Sequence, residues 1–158
     1  MRVSILTISD SVSRGEREDV SGPALVERCR QLGWEVTSAL RTSDDSAALR
    51  SQLRTICDSG HTDLLLTTGG TGLGPRDNTP ETTLDIADRT IPGLAEEIRR
   101  KGVEKTPTAV LSRGVAVIRH KTLIINLPGS PKGAVESLDA VAQLLPHAIE
   151  VLRGAHHG

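Results

Sequence analysis

Short apolar runs alternate with amphipathic stretches along this chain. Runs rich in leucine and β-branched residues predict three strands, at Val3–Ser9, Trp34–Leu40 and Asp63–Thr68. Between them, apolar residues at helical spacing predict helices at Pro23–Leu32 and Asp45–Asp58, each followed closely by a glycine that can end it. Because strands and helices alternate, we expect an α/β fold in which helices cover both faces of a mostly parallel sheet.

The second half of the chain continues this alternation with shorter elements. It predicts helices near Pro80–Ala87 and Pro92–Lys101, an extended pair at Gly114–Arg119 and Thr122–Asn126, and a closing helical segment at Pro131–Arg153 with an irregularity near Pro146. In folds of this class, ligands bind beyond the carboxyl ends of the parallel strands. The residues that follow each strand are therefore the first candidates for a functional site.

Composition narrows the class of partner. The 158 residues include no Phe, no Tyr and a single Trp, and the net charge is -1, so neither base stacking nor a basic surface supports nucleic-acid binding. No apolar run approaches the roughly 20 residues that span a bilayer, and the N-terminus lacks a signal-peptide layout. Cys29 and Cys57 show no metal-ligand spacing. We expect a cytoplasmic protein without a membrane partner, with one domain over residues 1–158, two reduced semi-buried thiols and a frayed end at about residues 154–158.

The stretch at residues 64–81 carries the strongest chemical signal. Three leucines suit a strand that is covered on both faces, and four glycines follow within residues 69–74, where bare amides can approach an anion. Thr79, followed by proline, predicts a helix start with Thr79 as the N-cap. Loop amides that end at a positive helix dipole predict a phosphate site. Asp77 is equally compatible with a local cap before Thr79 and with a chemical or metal-binding role.

This glycine loop, residues 69–74, differs from the two common nucleotide-binding motifs. A P-loop ends in Gly-Lys-Ser/Thr, whereas Gly74 is followed by Pro75 and Arg76. A dinucleotide fingerprint counted from Gly70 would need a third glycine where Pro75 stands. The sequence therefore disfavours a kinase-like ATPase and an NAD oxidoreductase. Arg76, beside the glycine loop, is predicted to contact phosphate, and the alternative for it is a solvated loop residue.

Two further strand ends carry the same kind of sequence. Strand one leads through Ser9 and Asp10 to a second helix start at Ser21-Gly22-Pro23, where Ser21 is the predicted cap. A third start has Ser130 as the predicted N-cap, followed by proline and by Lys132, whose charge is unfavourable there unless an anion compensates it. We expect the three junctions to converge and to form one polar floor for phosphate.

Two separated signatures together resemble a known family. Residues 67–72 with Asp77 and residues 79–81, joined to Asn-Leu-Pro-Gly-Ser-Pro-Lys at 126–132, closely resemble the MogA/MoaB family. These are the molybdopterin-binding proteins of molybdenum-cofactor synthesis, related to the first domain of the plant cofactor enzyme and of gephyrin. The similarity runs from strand one to the final helix. It implies a three-layer α/β/α fold and, commonly, a homotrimer.

The resemblance also implies an activity. Relatives transfer AMP from Mg-ATP to the terminal phosphate of molybdopterin and release pyrophosphate, after which a downstream enzyme inserts molybdate. The family's acidic residue after the glycine loop, which is needed for catalysis, falls on Asp77. A second acidic residue falls on Asp44, with the adjacent Asp45 as the alternative. For Asp44 and Asp45, local sequence alone favours helix capping. Asp77 and Asp44 would bind Mg²⁺ directly or through water or phosphate. The candidate substrate-binding residues are Ser9, Asp10, Thr68, Gly69, Gly70, Thr71, Gly72, Arg76, Pro128, Gly129, Ser130 and Lys132.

Two alternatives stay open beside the transferase. The first is a non-catalytic molybdopterin-binding or carrier paralogue of the same fold, which would bind the pterin with little or no ATP turnover. The second is an interaction domain, because a gephyrin-like relative also scaffolds other proteins. A lone domain without a linker or a partner half makes the second alternative the weaker one.

Overall fold

A six-stranded sheet forms the middle layer in the computed structural model, which describes residues 1–154. The strands are β1 (Arg2–Ile8), β2 (Glu35–Thr42), β3 (Leu64–Thr68), β4 (Arg89–Thr90), β5 (Ala116–Arg119) and β6 (Thr122–Leu127), in the spatial order β2-β1-β3-β6-β5-β4. Strands β2, β1, β3 and β6 are parallel, whereas β5 is antiparallel to β6 and β4 is antiparallel to β5. The mostly parallel sheet is thereby confirmed. Strand β4 was not predicted, because both of its residues are exposed and lack an apolar pattern.

Helices cover both faces of this sheet. They are α1 (Asp10–Ser13), α2 (Ser21–Gln31), α3 (Ser46–Asp58), α4 (Thr79–Asp85), α5 (Pro92–Lys105), α6 (Pro131–Val141) and α7 (Leu145–Leu152), with 3₁₀ turns at Pro107–Leu111 and Ala142–Leu144. The predicted closing helix is thus two helices, and the break lies just before Pro146, which occupies the first turn of α7 where a missing N–H removes no intrahelical hydrogen bond. Helix α1 and the first 3₁₀ turn were not predicted. Over residues 1–154, no helix is long and apolar enough to cross a membrane. The predicted frayed end lies, from residue 155 onward, outside the described residues.

Alternate residues of the buried strands pack against helices on opposite faces of the sheet. Leu64 and Leu66 pack on one face with side chains of α2, α5, α6 and α7, whereas Leu65 packs on the other face with side chains of α3. Both layers are built mainly from aliphatic residues, as a chain without Phe or Tyr requires. Trp34 lies immediately before β2 and is partly buried against the first of these clusters. The result is the expected three-layer α/β/α arrangement.

Cys29 and Cys57 lie in different apolar clusters and are free thiols. They are 0% and 4% exposed, so they are buried more deeply than the sequence predicted. Burial raises the pKa of each thiol to about 12. We therefore expect neither thiol of the folded protein to react with Ellman's reagent at about pH 8, and both to react in denaturant. A fast-reacting thiol in the native protein would contradict this assignment.

Asp63 ties the amino-terminal edge of the sheet to the end of α7. Its side chain is 3% exposed, and it accepts hydrogen bonds from the Arg2 amide at 2.7 Å and the Arg2 guanidinium at 3.1 Å. It also pairs with Arg153, which follows α7. Burial alone would raise the pKa of Asp63, but the hydrogen bonds from Arg2 and Arg153 outweigh this effect and hold the pKa well below its usual range.

We expect Asp63→Asn to lower the free energy of unfolding by about 2 kcal/mol, because two arginines lose the charge that they share. Since the folded-state pKa is lowered, this contribution is fully present above the unfolded-state pKa of about 4 and is lost as the pH falls below it. Urea unfolding of wild type and variant at about pH 7 and about pH 3 measures the change.

The control for this prediction is Asp139→Asn, which breaks the partly exposed pair of Asp139 with Arg28. It should lower the free energy of unfolding by less than about 1 kcal/mol. Equal destabilisation by the two variants, or an effect of Asp63→Asn that grows toward low pH, would contradict the role given to Asp63.

Candidate functional site

Three loops meet beyond the carboxyl ends of β1, β3 and β6, as predicted. Two hydrogen bonds join the end of β3 and the glycine loop to the end of β6 and the loop after it. The Gly69 amide donates to Leu127 O at 3.1 Å, and the Thr68 hydroxyl donates to Pro128 O at 2.7 Å. A first cavity of about 670 Å³ opens between these loops and the segment after β1. The predicted residues that line it are Ser9, Asp10, Asp44, Thr68, Gly69, Gly70, Arg76, Asp77, Gly129 and Ser130.

Two residues of the glycine loop adopt backbone conformations that favour glycine. Gly69 and Gly70 have φ angles of +106° and +70°. A Cβ at Gly69 would lie 2.3 Å from the carbonyl oxygen of Ile8, and a Cβ at Gly70 would lie 2.1 Å from Oγ1 of Thr79. Glycine is therefore required at both positions, for the conformation and for the close approach of neighbouring atoms.

The helix start after the glycine loop differs from the prediction. The N-cap residue of α4 is Asn78, which makes no side-chain cap hydrogen bond. Thr79 is the first helical residue, and its hydroxyl donates to Gly69 O at 3.0 Å while its amide donates to Gly70 O at 3.2 Å. The prediction of Thr79 as N-cap was wrong because this side chain instead fastens the helix to the glycine loop.

At the other two helix starts, one predicted N-cap residue is wrong and the other is correct. Ser21 lies inside α2, whose N-cap residue is Val20. The carboxylate of Asp19, one residue before the N-cap, accepts from the Gly22 amide at 3.0 Å and so satisfies an amide of the first turn. Ser130 caps α6 as predicted, since its hydroxyl accepts from the Gly133 amide at 3.1 Å. The predicted serine therefore caps α6, whereas in α2 the carboxylate of Asp19, rather than Ser21, accepts a hydrogen bond from the first turn.

Asp77 bonds back to its own loop. Its Oδ2 accepts from the Gly74 amide at 2.9 Å, and its own amide donates to Gly74 O at 3.1 Å. A Cβ at either Gly72 or Gly74 would lie 2.9 Å from the same carboxylate oxygen, so these glycines make room for it. The alternative of a local cap before Thr79 is therefore not observed. Asp77 instead presents a carboxylate at the cavity wall.

Asp10, Asp44 and Arg76 form one ion-pair cluster in the first cavity. The Asp44 amide donates to Asp10 Oδ1 at 3.0 Å, and Nη2 of Arg76 donates to Asp44 Oδ1 at 2.8 Å and to the Asp10 carboxylate. The hydrogen bond from the Asp44 amide, helped by the Arg76 charge, lowers the pKa of Asp10. Asp45 instead caps α3 by accepting from the Ala48 amide at 2.9 Å. Of the two acidic alternatives, Asp44 is therefore the one that lines the cavity.

A second cavity of about 650 Å³ adjoins the first. The two cavities share one wall, which we call the shared wall, and its residues are Gly70, Asp77, Gly129 and Ser130. Thr71, Gly72, Pro128 and Lys132 also line the second cavity, so every predicted site residue lies in one cavity or the other. The Lys132 side chain is exposed, and its Nζ lies 3.8 Å from Glu136.

The far side of the second cavity was missed by the sequence prediction. It is formed by α5, the 3₁₀ turn Pro107–Leu111 and α6. Besides Lys132, its polar side chains are Arg99, Thr106, Thr108, Ser112, Glu136 and Ser137. The signal that could have revealed it is the group of hydroxyl residues around Pro107, which ends α5 and turns the chain back toward the glycine loop.

Sequence comparison relates this arrangement to proteins of molybdenum-cofactor synthesis. Residues 4–147 match the family described as "Probable molybdopterin binding domain". A Helicobacter pylori (strain J99) protein named molybdopterin adenylyltransferase is 37% identical over 98% of this chain and 89% of its own length. The Escherichia coli K12 protein of the same name is 38% identical over 99% of this chain and 87% of its own length.

Solved structures agree with the sequence matches. The molybdopterin biosynthesis enzyme MoaB from Thermus thermophilus has a TM-score of 0.91 and 51% identity, over 98% of this chain and 97% of that one. The tungsten cofactor synthesizing protein MoaB from Pyrococcus furiosus has a TM-score of 0.84 and 28% identity, over 96% of each chain. With its sheet order, its glycine loop and these matches over almost its full length, the chain belongs to the molybdopterin-binding domain family that includes the MogA and MoaB proteins.

Proposed function

We propose that the chain transfers AMP from ATP to the terminal phosphate of molybdopterin and so forms adenylylated molybdopterin and pyrophosphate. The observation that carries this proposal is the pair of adjoining cavities that meet at the shared wall. Two substrates can occupy neighbouring cavities while their phosphate groups approach each other at that wall. A carrier for a single pterin would need only one such cavity.

Backbone groups and two basic side chains would hold the phosphates. Helix α6 begins at the shared wall with Ser130 as its cap, and the positive end of its dipole favours an anion there. The glycines of the loop allow phosphate oxygens to approach the main chain closely. Arg76 lines the first cavity and Lys132 lines the second, so each cavity has a cation for its substrate.

We further propose that Mg²⁺ accompanies the nucleotide. Within residues 1–154, no group of three or more His, Cys, Asp or Glu side chains could hold a metal ion unaided. Magnesium ordinarily takes one or two carboxylates together with phosphate oxygens and water. Asp44 and Asp77 line the same cavity and supply carboxylates of this kind, so they fit an ion shared with the nucleotide phosphates. When bound, the ion would neutralise negative charge that develops on those phosphates.

The reaction needs positioning more than it needs a dedicated base. A terminal phosphate oxygen of molybdopterin is already ionised near neutral pH, and it attacks the α-phosphorus of ATP. The bond from that phosphorus to the bridging oxygen breaks, and pyrophosphate leaves with the electron pair. The chain's part is to hold two mutually repelling phosphates in line, and Arg76 can turn from Asp10 and Asp44 toward phosphate when the nucleotide enters.

The direct test is to incubate the purified protein with molybdopterin and Mg-ATP. Pyrophosphate release and the mass of the adenylylated pterin are then measured. We expect both products only when the pterin and ATP are present together, and omission of the pterin controls for simple ATP hydrolysis. Pterin binding without any product would overturn the proposal in favour of the non-catalytic binding alternative.

We also propose that the protein is a cytoplasmic homotrimer and that its product passes to a molybdate-inserting enzyme. The two free thiols suit a reducing compartment. Val103 and Val110 present exposed apolar side chains on α5 and on the 3₁₀ turn that follows it. This surface supports the trimer, because contact with another subunit would cover it.

A further inference from the structure

Arg113 lies between the 3₁₀ turn Pro107–Leu111 and β5, and it closes the loop that carries Asp77. Its backbone amide donates to Thr71 O at 2.9 Å. Its side-chain Nε donates to Gly72 O at 2.8 Å, and Nη2 donates to Asp77 O at 2.6 Å. The two side-chain bonds reach the two arms of the loop, so a single guanidinium fixes the distance between them.

The remaining contact of this guanidinium is to the helix that follows the loop. Nη1 of Arg113 donates to Oε2 of Glu81 at 2.6 Å, in the first turn of α4. This hydrogen bond raises the pKa of Arg113. The Glu81 side chain is exposed, so the pair itself adds little stability. The planar guanidinium matters here because its donors have fixed directions that match two carbonyls and one carboxylate at once.

We propose that Arg113 is a positioning residue for the transfer reaction. By holding the carbonyl oxygens of Gly72 and Asp77, it fixes the backbone that carries the Asp77 carboxylate, which is part of the shared wall. This inference rests on the proposed function, in which Asp77 takes part in the chemistry. A displacement of a reacting group by about 1 Å lowers a rate by about 10²-fold.

Arg119 provides a matched control at the other end of β5. Its guanidinium likewise combines a carboxylate with a backbone carbonyl, since it bonds Asp58 at 3.1 Å and Ile86 O at 2.9 Å. It contacts neither the glycine loop nor Asp77. Loss of Arg119 therefore removes a similar set of hydrogen bonds without freeing the loop.

The experiment compares Arg113→Gln, Arg113→Lys and Arg119→Gln with wild type. For each protein, kcat and the KM values for ATP and molybdopterin are measured, and hydrogen exchange of the 71–77 amides is followed without substrates. We expect Arg113→Gln to lower kcat by about 10²-fold, to leave both KM values close to wild type and to speed exchange in the loop. Arg113→Lys should fall between Arg113→Gln and wild type, because an ammonium lacks the planar fork. Arg119→Gln should change neither kcat nor loop exchange.

Each outcome separates this proposal from the proposed function. Lost activity in Arg113→Gln with unchanged loop exchange would overturn the positioning role, and so would faster exchange with wild-type kcat. If Arg113→Gln does not fold, the same comparison is made with Arg113→Lys, which keeps the charge. If wild type forms no adenylylated product, the proposed function fails and the role of Arg113 fails with it. An active wild type with an unaffected Arg113→Gln overturns only the role of Arg113.

Discussion

We expect Asp77→Asn to lower kcat for AMP transfer by about 10²- to 10³-fold, the range typical for removing one electrostatic group from an active site. The substitution removes the negative charge that the proposed reaction uses beside Mg²⁺ and phosphate. The asparagine carbonyl can still accept the hydrogen bond from the Gly74 amide, which Asp77 now accepts at 2.9 Å. The loop should therefore keep its shape, and KM for both substrates should change little.

Pyrophosphate release at saturating substrate measures this loss, and Asp85→Asn is the matched control. Asp85 ends the helix that follows the glycine loop and pairs with Arg50 at 3.1 Å on the surface. Its replacement should leave kcat at the wild-type value. A wild-type kcat in Asp77→Asn would remove Asp77 from the chemistry and leave Asp44 as the acidic candidate.

We expect Gly70→Ala to lower the free energy of unfolding by about 3 kcal/mol and to abolish AMP transfer. An alanine at the Gly70 φ of +70° costs about 1–2 kcal/mol for its left-handed conformation. Its Cβ would also lie 2.1 Å from Oγ1 of Thr79, and this overpacking adds about 1–3 kcal/mol. Relief of the contact must either break the hydrogen bond from the Thr79 hydroxyl to Gly69 O or move α4 away from the glycine loop, and we expect either change to distort the shared wall.

Gly33→Ala separates these two effects. Gly33 has a comparable φ of +81°, but no atom of residues 1–154 lies within 4 Å of a Cβ built there. This variant should lose only about 1 kcal/mol and should keep full activity. Urea unfolding of both variants measures the difference. If Gly70→Ala and Gly33→Ala lowered the free energy of unfolding equally, the close approach of Thr79 to Gly70 would contribute nothing to the loss.

The strands and the glycine loop could be predicted because their signals are local. Leu64, Leu65 and Leu66 are all buried, and a short apolar run of this kind already indicates a strand covered on both faces. The clustering of glycines within residues 69–74 likewise indicates a loop with unusual backbone geometry. The position of these segments beyond the carboxyl ends of parallel strands then follows from topology alone.

The partners of the site residues could not be predicted, because tertiary contacts decide them. Arg76 meets Asp10 across 66 positions, and Arg113 meets the Asp77 carbonyl across 36. No spacing rule reveals pairs so far apart in sequence. Thr79 has the residue type of a helix cap, but its hydroxyl found an acceptor in a neighbouring loop rather than in its own helix. The local sequence therefore predicted where the helix starts but not which acceptor the Thr79 side chain binds.

The lone indole of Trp34 makes this protein convenient for optical work. With no tyrosine in the chain, the near-ultraviolet absorbance comes almost entirely from this one side chain. Trp34 lies beside the start of β1, at the end of the sheet away from the glycine loop, because Glu35 pairs with Arg2. Its fluorescence should change when the protein unfolds and should change little when a ligand binds. Adenine and pterin chromophores will absorb over a weak protein background, so their titration can be read directly by spectrophotometry.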